Sequence, residues 1–119
     1  MRRHITWTAL AAGALLAWTA MPAAAGDSVT GEVVDLSCYL VHPQSGQGAG
    51  HRKCAETCLK KGLPAGLLTG DKQLYLLIED HDNPKSYASL KDKAAEKVTV
   101  EGEKVTQNGM QGIVVEAVK

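Results

Sequence analysis

The sequence predicts a mainly β domain: a small five-stranded OB-like barrel with two short helices, one of them a Cys-bearing helical insertion after the first strand. Three observations point there. Short runs of alternating apolar residues recur along the chain, which is the period of a half-buried strand. Glycine, proline and asparagine clusters separate them at close intervals. All three cysteines fall between the first and second of these runs, in a stretch that reads as loop and helix.

The elements follow in order. Ser28 to Asp35 is the first strand, with Val29, Gly31 and Val33 on one face and Thr30, Glu32 and Val34 on the other. Pro43 to Gly50 (PQSGQGAG) is rich in small and turn-forming residues and is a loop. His51 to Lys61 lacks β-branched runs and reads as a short helix, stopped by Gly62 and Pro64. Leu67-Leu68-Thr69 begins the second strand. Gly70-Asp71-Lys72 is a turn, and Gln73 to Glu79 (QLYLLIE) is the strongest strand in the chain. Asp80 to Pro84 breaks it. Lys85 to Glu96 is helical, with Tyr87, Leu90, Ala94 and Ala95 near one face and Lys91, Asp92, Lys93 and Glu96 towards water. Lys97 to Glu101 alternates as a strand with Val98 and Val100 inward. Gln107-Asn108-Gly109 is a hairpin signal. Gln111 to Lys119 is the last strand, with Ile113, Val115 and Ala117 on one face. Five short strands with a helix between the third and fourth match the order of an OB-type barrel; a small open sheet with packed helices is the alternative.

Residues 1–25 read as a secretion signal, which leaves one domain, 26–119. Arg2, Arg3 and His4 form a basic start, Ile5 to Ala20 is mostly apolar, and Met21-Pro22-Ala23-Ala24-Ala25 ends in a small-x-small pattern. The residues after Arg2-Arg3 do not make a twin-arginine signal, so the general secretory route with cleavage after Ala25 is expected. The alternative, a retained membrane anchor, meets an apolar stretch that is short and interrupted by Thr8, Gly13 and Thr19. Either way the folded part is periplasmic or secreted, where disulfides persist.

Loss of the leader changes the composition that matters. Arg2 and Arg3 leave with it, so the formal charge goes from zero to −2, and both tryptophans go too. The remaining aromatics are Tyr39, Tyr75 and Tyr87. No basic surplus faces a phosphate backbone and no aromatic platform is available, so a nucleic-acid partner is not expected. No later apolar run reaches the roughly 18 residues of a membrane span.

The chemistry concentrates in one stretch. Cys38, Cys54 and Cys58 lie within 21 residues, with His42 and His51 among them, spaced C-x3-H-x8-H-x2-C-x3-C. On a helix Cys54 and Cys58 project from one face, and His51, three before Cys54, joins the same stripe. Cys38 comes from the end of the first strand, and the glycine-bearing loop can fold it back onto the helix. Cys38, His51, Cys54 and Cys58 then converge as four N/S donors, a set that suits zinc or copper(I). Asp35, three before Cys38, either supports a ligand such as His51 from behind or simply ends the strand. The competing reading is a structural disulfide from Cys38 to Cys54 or Cys58, closing a loop that contributes about 3 kcal/mol in the chain-entropy model. One cysteine is then left over. Spacing alone does not choose between these readings.

These stretches also carry a resemblance. GEVVDLSC (31–38), HRKCAETCLKKGLPAGLL (51–68), QLYLLIE (73–79) and KVTVEG (97–102) resemble a family of small exported bacterial proteins of uncharacterised function. Its members share a strand ending in D-x-x-C, an H-x-x-C-x3-C-x3-G helix, a Tyr-containing strand and a late V-x-V-x-G strand. The resemblance covers nearly all of the chain after the leader and implies an OB-like barrel. It supplies no activity. By position its characteristic residues fall on Asp35, Cys38, His51, Cys54, Cys58 and Gly62; His42 matches no position in it.

Other chemistry is weaker. Asp80-His81-Asp82 offers three donors in sequence, but neighbouring side chains point apart and the run reads as a solvated turn before Pro84. Lys60-Lys61 closes a helix, where cations suit the dipole. Nothing suggests an oxyanion hole for Cys–His catalysis, and no glycine loop precedes a P-loop Lys-Ser/Thr pair. The expectation is a non-enzymatic exported protein that binds zinc or copper through a Cys3His cluster, held closed by four ligands for structure or storage, or by three with an open position for handover to an unknown protein partner. The alternative is a disulfide-stapled binding or interaction module of unknown ligand.

Overall fold

A computed structural model of the chain describes residues 26–119; the leader expected over residues 1–25 lies outside them. The strands are β1 (Asp27–Asp35), β2 (Ala65–Leu68), β3 (Leu74–Glu79), β4 (Lys97–Gln107) and β5 (Met110–Val118). They close a barrel in the order β1-β2-β3-β5-β4, β4 returning to β1. All pairs are antiparallel except β3 with β5, where Leu77 lies opposite Ile113. The five-stranded barrel expected from the sequence is therefore the fold, and the open sheet is not.

Closure follows from the alternation. Val29, Gly31 and Val33 of β1 and Val98 and Val100 of β4 are buried, and their neighbours Thr30 and Lys97 face water. Leu67, Val100, Ile113 and Val115 are 0% exposed and form the centre of the core. Gly31 permits the close approach of β2: a Cβ there would lie 2.5 Å from the Leu68 carbonyl oxygen. A bulge between Glu101 and Gly102 lets long β4 bend from β1 onto β5.

Among the described residues there are three α-helices, not two. α1 (Leu36–Val41) and α2 (Arg52–Lys60) both lie between β1 and β2, with a 3-10 turn, Ala49–His51, leading into α2. α3 (Pro84–Leu90) lies between β3 and β4 and begins on Pro84, whose missing N–H costs nothing in a first turn. The helix expected to run to Glu96 ends at Leu90. Backbone bonds from Ala95 N–H to Val33 C=O (2.8 Å) and Val33 N–H to Glu96 C=O (3.0 Å) tie that segment to β1 instead. Ala95 takes φ 62° to reach them, so tertiary pairing overrides good helix formers.

Candidate metal centre

Asp35 ends β1 and starts α1. Its side chain is fully buried, with Oδ1 accepting from Ser37 N–H (3.1 Å) and Oδ2 from Cys38 N–H (3.2 Å). These are the second and third residues of the helix, the donors that an N-terminal cap serves. Leu36 N–H meanwhile donates to Pro64 C=O at 3.0 Å, so the start of α1 is fastened to the chain that enters β2. Cys38 was expected on the strand end. It sits on α1 instead, because capping by Asp35 turns the backbone into a helix immediately after β1.

α2 presents the other two sulfurs. Ala55 and Leu59, four apart, bury one face of it in the core. Cys54 and Cys58 are each one position earlier, which rotates them to the border of that face. Cys54 is exposed and Cys58 half-buried. The helix stops as the glycine foretold: Gly62 takes φ 91°, its N–H donates to Leu59 C=O, and Leu63 N–H donates to Cys58 C=O. That is a Schellman ending, and it pins the turn that carries Cys58. The loop between the helices packs tightly as well. A Cβ on Gly46 would lie 2.7 Å from Tyr39 Cα, and Gly48 N–H donates to Glu32 Oε1 at 2.9 Å.

The result is convergence on α1. The Sγ atoms of Cys38, Cys54 and Cys58 all lie within 4.8 Å of one another. A second trio joins Asp35, Cys38 and His51, its donor atoms again within 4.8 Å of each other. His51, the last residue of the 3-10 turn that leads into α2, thus stands with Asp35 and Cys38, and the four donors expected from the sequence lie close together. Among the described residues, Nε2 of His51 is the one buried side-chain polar atom with no hydrogen-bond partner.

All three cysteines are free thiols, and no disulfide staples α1 to α2. The competing reading, a bridge from Cys38 to Cys54 or Cys58, is not formed. Hydrogen bonding to the Asp35 carboxylate, then desolvation, then the negative charge of Asp35 push the Cys38 thiol up to about 12. Desolvation first, and repulsion from Asp35 and Cys54 after it, raise Cys58 as well. In the metal-free state these two sulfurs hold their protons at neutral pH. A cation among them reverses the balance, because it offsets the carboxylate charge and stabilises thiolates.

The donors fit a transition metal. Sulfurs around one tetrahedral ion with bonds near 2.3 Å stand about 3.8 Å apart, within rotamer reach of the observed separations. Imidazole and thiolate suit zinc, copper(I) and related ions. Of the other sequence candidates, His42 is exposed at the end of α1 and belongs to neither trio. Asp80-His81-Asp82 is a turn in which Asp82 N–H donates to Asp80 Oδ1 (3.0 Å), and it gathers no metal-ligand group. No family model, no curated protein and no solved structure matches the chain.

Proposed function

We propose that this is an exported, non-enzymatic protein that binds a transition metal, zinc or copper(I), with Cys38, Cys54 and Cys58 as thiolate ligands and His51 completing the set. The observation that carries the reading is the meeting of three sulfurs from two helices within 4.8 Å, as free thiols, beside a buried imidazole nitrogen with no other partner. Buried polar atoms are nearly always paired, so a partnerless donor beside thiols supports ligation there. The exposed Cys54 leaves one side of the cluster open to a protein that takes or delivers the ion. Among the described residues no helix is long and apolar enough to cross a membrane. The D-x-x-C and H-x-x-C-x3-C residues that carry the family resemblance are the cluster residues themselves.

The decisive measurement is thiol titration together with elemental analysis of protein purified without chelator. Three titratable thiols after metal removal, with one equivalent of zinc or copper before it, support the reading. One titratable thiol and no metal would sink it and favour the disulfide-stapled module.

A further inference from the structure

We propose that the cluster holds its ion in two positions, and that the inner one is a mixed-donor site made by Asp35, Cys38 and His51. The inference rests on metal binding by the cluster and adds a ligand, Asp35, to it. The geometry is that of two overlapping trios with a single shared atom, the Sγ of Cys38. Their chemistry and their depth differ. The outer trio is all sulfur and reaches solvent at Cys54. The inner trio is oxygen, sulfur and nitrogen, with a carboxylate that is 0% exposed and an imidazole whose Nε2 is buried without a partner.

Charge separates the ions each position favours. Three thiolates carry −3, so a monovalent soft ion leaves −2, tolerable only near water; copper(I) fits there. One carboxylate, one thiolate and a neutral imidazole carry −2, which a divalent ion cancels. A neutral assembly is the one that burial tolerates, so zinc fits the inner position. Asp35 retains capacity for this. Each of its oxygens accepts one backbone N–H, and a carboxylate oxygen has a second lone pair.

Passage between the positions is ligand exchange without electron transfer. The metal–sulfur bond to Cys38 is kept. The bonds to Cys54 and Cys58 break as bonds to Asp35 Oδ and a ring nitrogen of His51 form, and the two released thiolates take protons from water. An ion arriving past Cys54 is thereby drawn from an exchangeable position to a retaining one.

Equilibrium dialysis of the reduced protein against zinc(II), and separately against copper(I), tests this in wild type and in Cys54→Ser/Cys58→Ser. The expected result is that the double variant loses copper(I) by about 100-fold or more and binds zinc(II) more weakly than wild type, yet still takes up one equivalent of zinc(II). Cobalt(II) in its place should show charge transfer from one thiolate where only the inner trio remains. Adding Asp35→Asn or His51→Ala to the double variant should remove the remaining ion. Asparagine caps helices as well as aspartate does, so circular dichroism of Asp35→Asn should be native, and His51→Ala provides a milder route to the same readout. A folded double variant that binds no zinc(II), or one whose zinc(II) survives Asp35→Asn and His51→Ala, overturns the inner site while leaving the metal-binding reading intact. A wild type that binds neither ion removes that reading itself.

Discussion

The barrel strands and the segment 36–64 inserted between β1 and β2 differ in what they gather at their centres. Inside the barrel the centre is Leu67, Val100, Ile113 and Val115, all fully apolar. The insertion brings three thiols and an imidazole up to Asp35, the one buried charged side chain among the described residues, which ends β1. The barrel is held by area removed from water, the insertion by caps and directed hydrogen bonds. Asp35 serves α1, Gly62 ends α2, and Glu32 holds Gly48. A chain that keeps polar donors half-buried around one point sacrifices packing there, and a rigid barrel beneath supplies what the insertion lacks. Substitutions should therefore sort into two classes that do not mix.

The largest effect belongs to the barrel. Leu67→Ala removes a fully buried side chain where β2 meets both β1 and β3. It should destabilise the metal-free protein by about 2–5 kcal/mol, measured by urea unfolding, a large part of the roughly 5–15 kcal/mol that holds a domain together. A metal that binds only the folded state adds back about 2.7 kcal/mol at 100 times its Kd. The variant should thus be partly rescued by metal, with a shift no smaller than that of wild type. A rescue absent in the variant and present in wild type would mean that barrel and cluster are not separable.

The next effect belongs to the insertion. Cys54→Ser should weaken copper(I) binding by about 100-fold or more while moving the unfolding midpoint of the metal-free protein by under about 0.5 kcal/mol, because the side chain is exposed. Competition with a chromogenic copper(I) chelator reads the first, and urea the second. A large stability loss with unchanged metal affinity would reverse the assignment of the two regions.

The same division explains what was legible in the sequence. Alternation marks strands with one buried face, so β1, the first part of β4 and β5 could be read from periodicity, while β3 was legible as an apolar run and β4 extends beyond the Glu101 expected, to Gln107. The cluster residues were legible as chemistry, since thiols and imidazole at that spacing have few uses. Their placement was not. α1 has six residues, too few to show a helical period, and only the Asp35 cap announces it. The end of α3 at Leu90 is dictated by pairing of Ala95 and Glu96 with Val33, a contact far away in the chain. Spacing places His51 on the α2 stripe but does not show the 3-10 turn that carries it or its nearness to Asp35.

A smaller but diagnostic effect is the pH response of Cys38. Its folded-state thiol is raised to about 12, with Asp35 as first cause, against an ordinary value near 8.5 in an unfolded chain. The folded state therefore binds the proton more tightly. Its contribution to stability is complete below about pH 8.5 and is lost as pH rises through about 12. In the metal-free protein, alkylation at pH 8 should be fast at exposed Cys54 and slowest at Cys38, and Asp35→Asn should speed the Cys38 reaction by lowering that thiol towards its ordinary range. Mass spectrometry of the partly alkylated protein gives the order directly. Metal binding must expel these protons, so apparent affinity should climb steeply between pH 6 and 9 and release protons to the buffer. A flat profile would mean that sulfur is not the ligand.

The smallest effect is the sharpest test of geometry. His42 is as close in sequence to Cys38 as a helical turn, and on spacing alone it competes with His51. Yet it is the residue after α1, exposed, with its own N–H tied to Cys38 C=O at 2.8 Å and its side chain in neither trio. Because the backbone bond and not the imidazole closes the helix, His42→Ala should change stability by no more than about 0.5 kcal/mol and metal affinity by less than about 2-fold, well below the 10–100-fold that loss of even an outer supporting group brings. His51→Ala should weaken binding by at least that larger factor. The two imidazoles differ only in what the fold does with them. If His42→Ala strips the ion and His51→Ala does not, the turn before α2 is not part of the centre, and the ligands would have to be gathered around α1 from its opposite end.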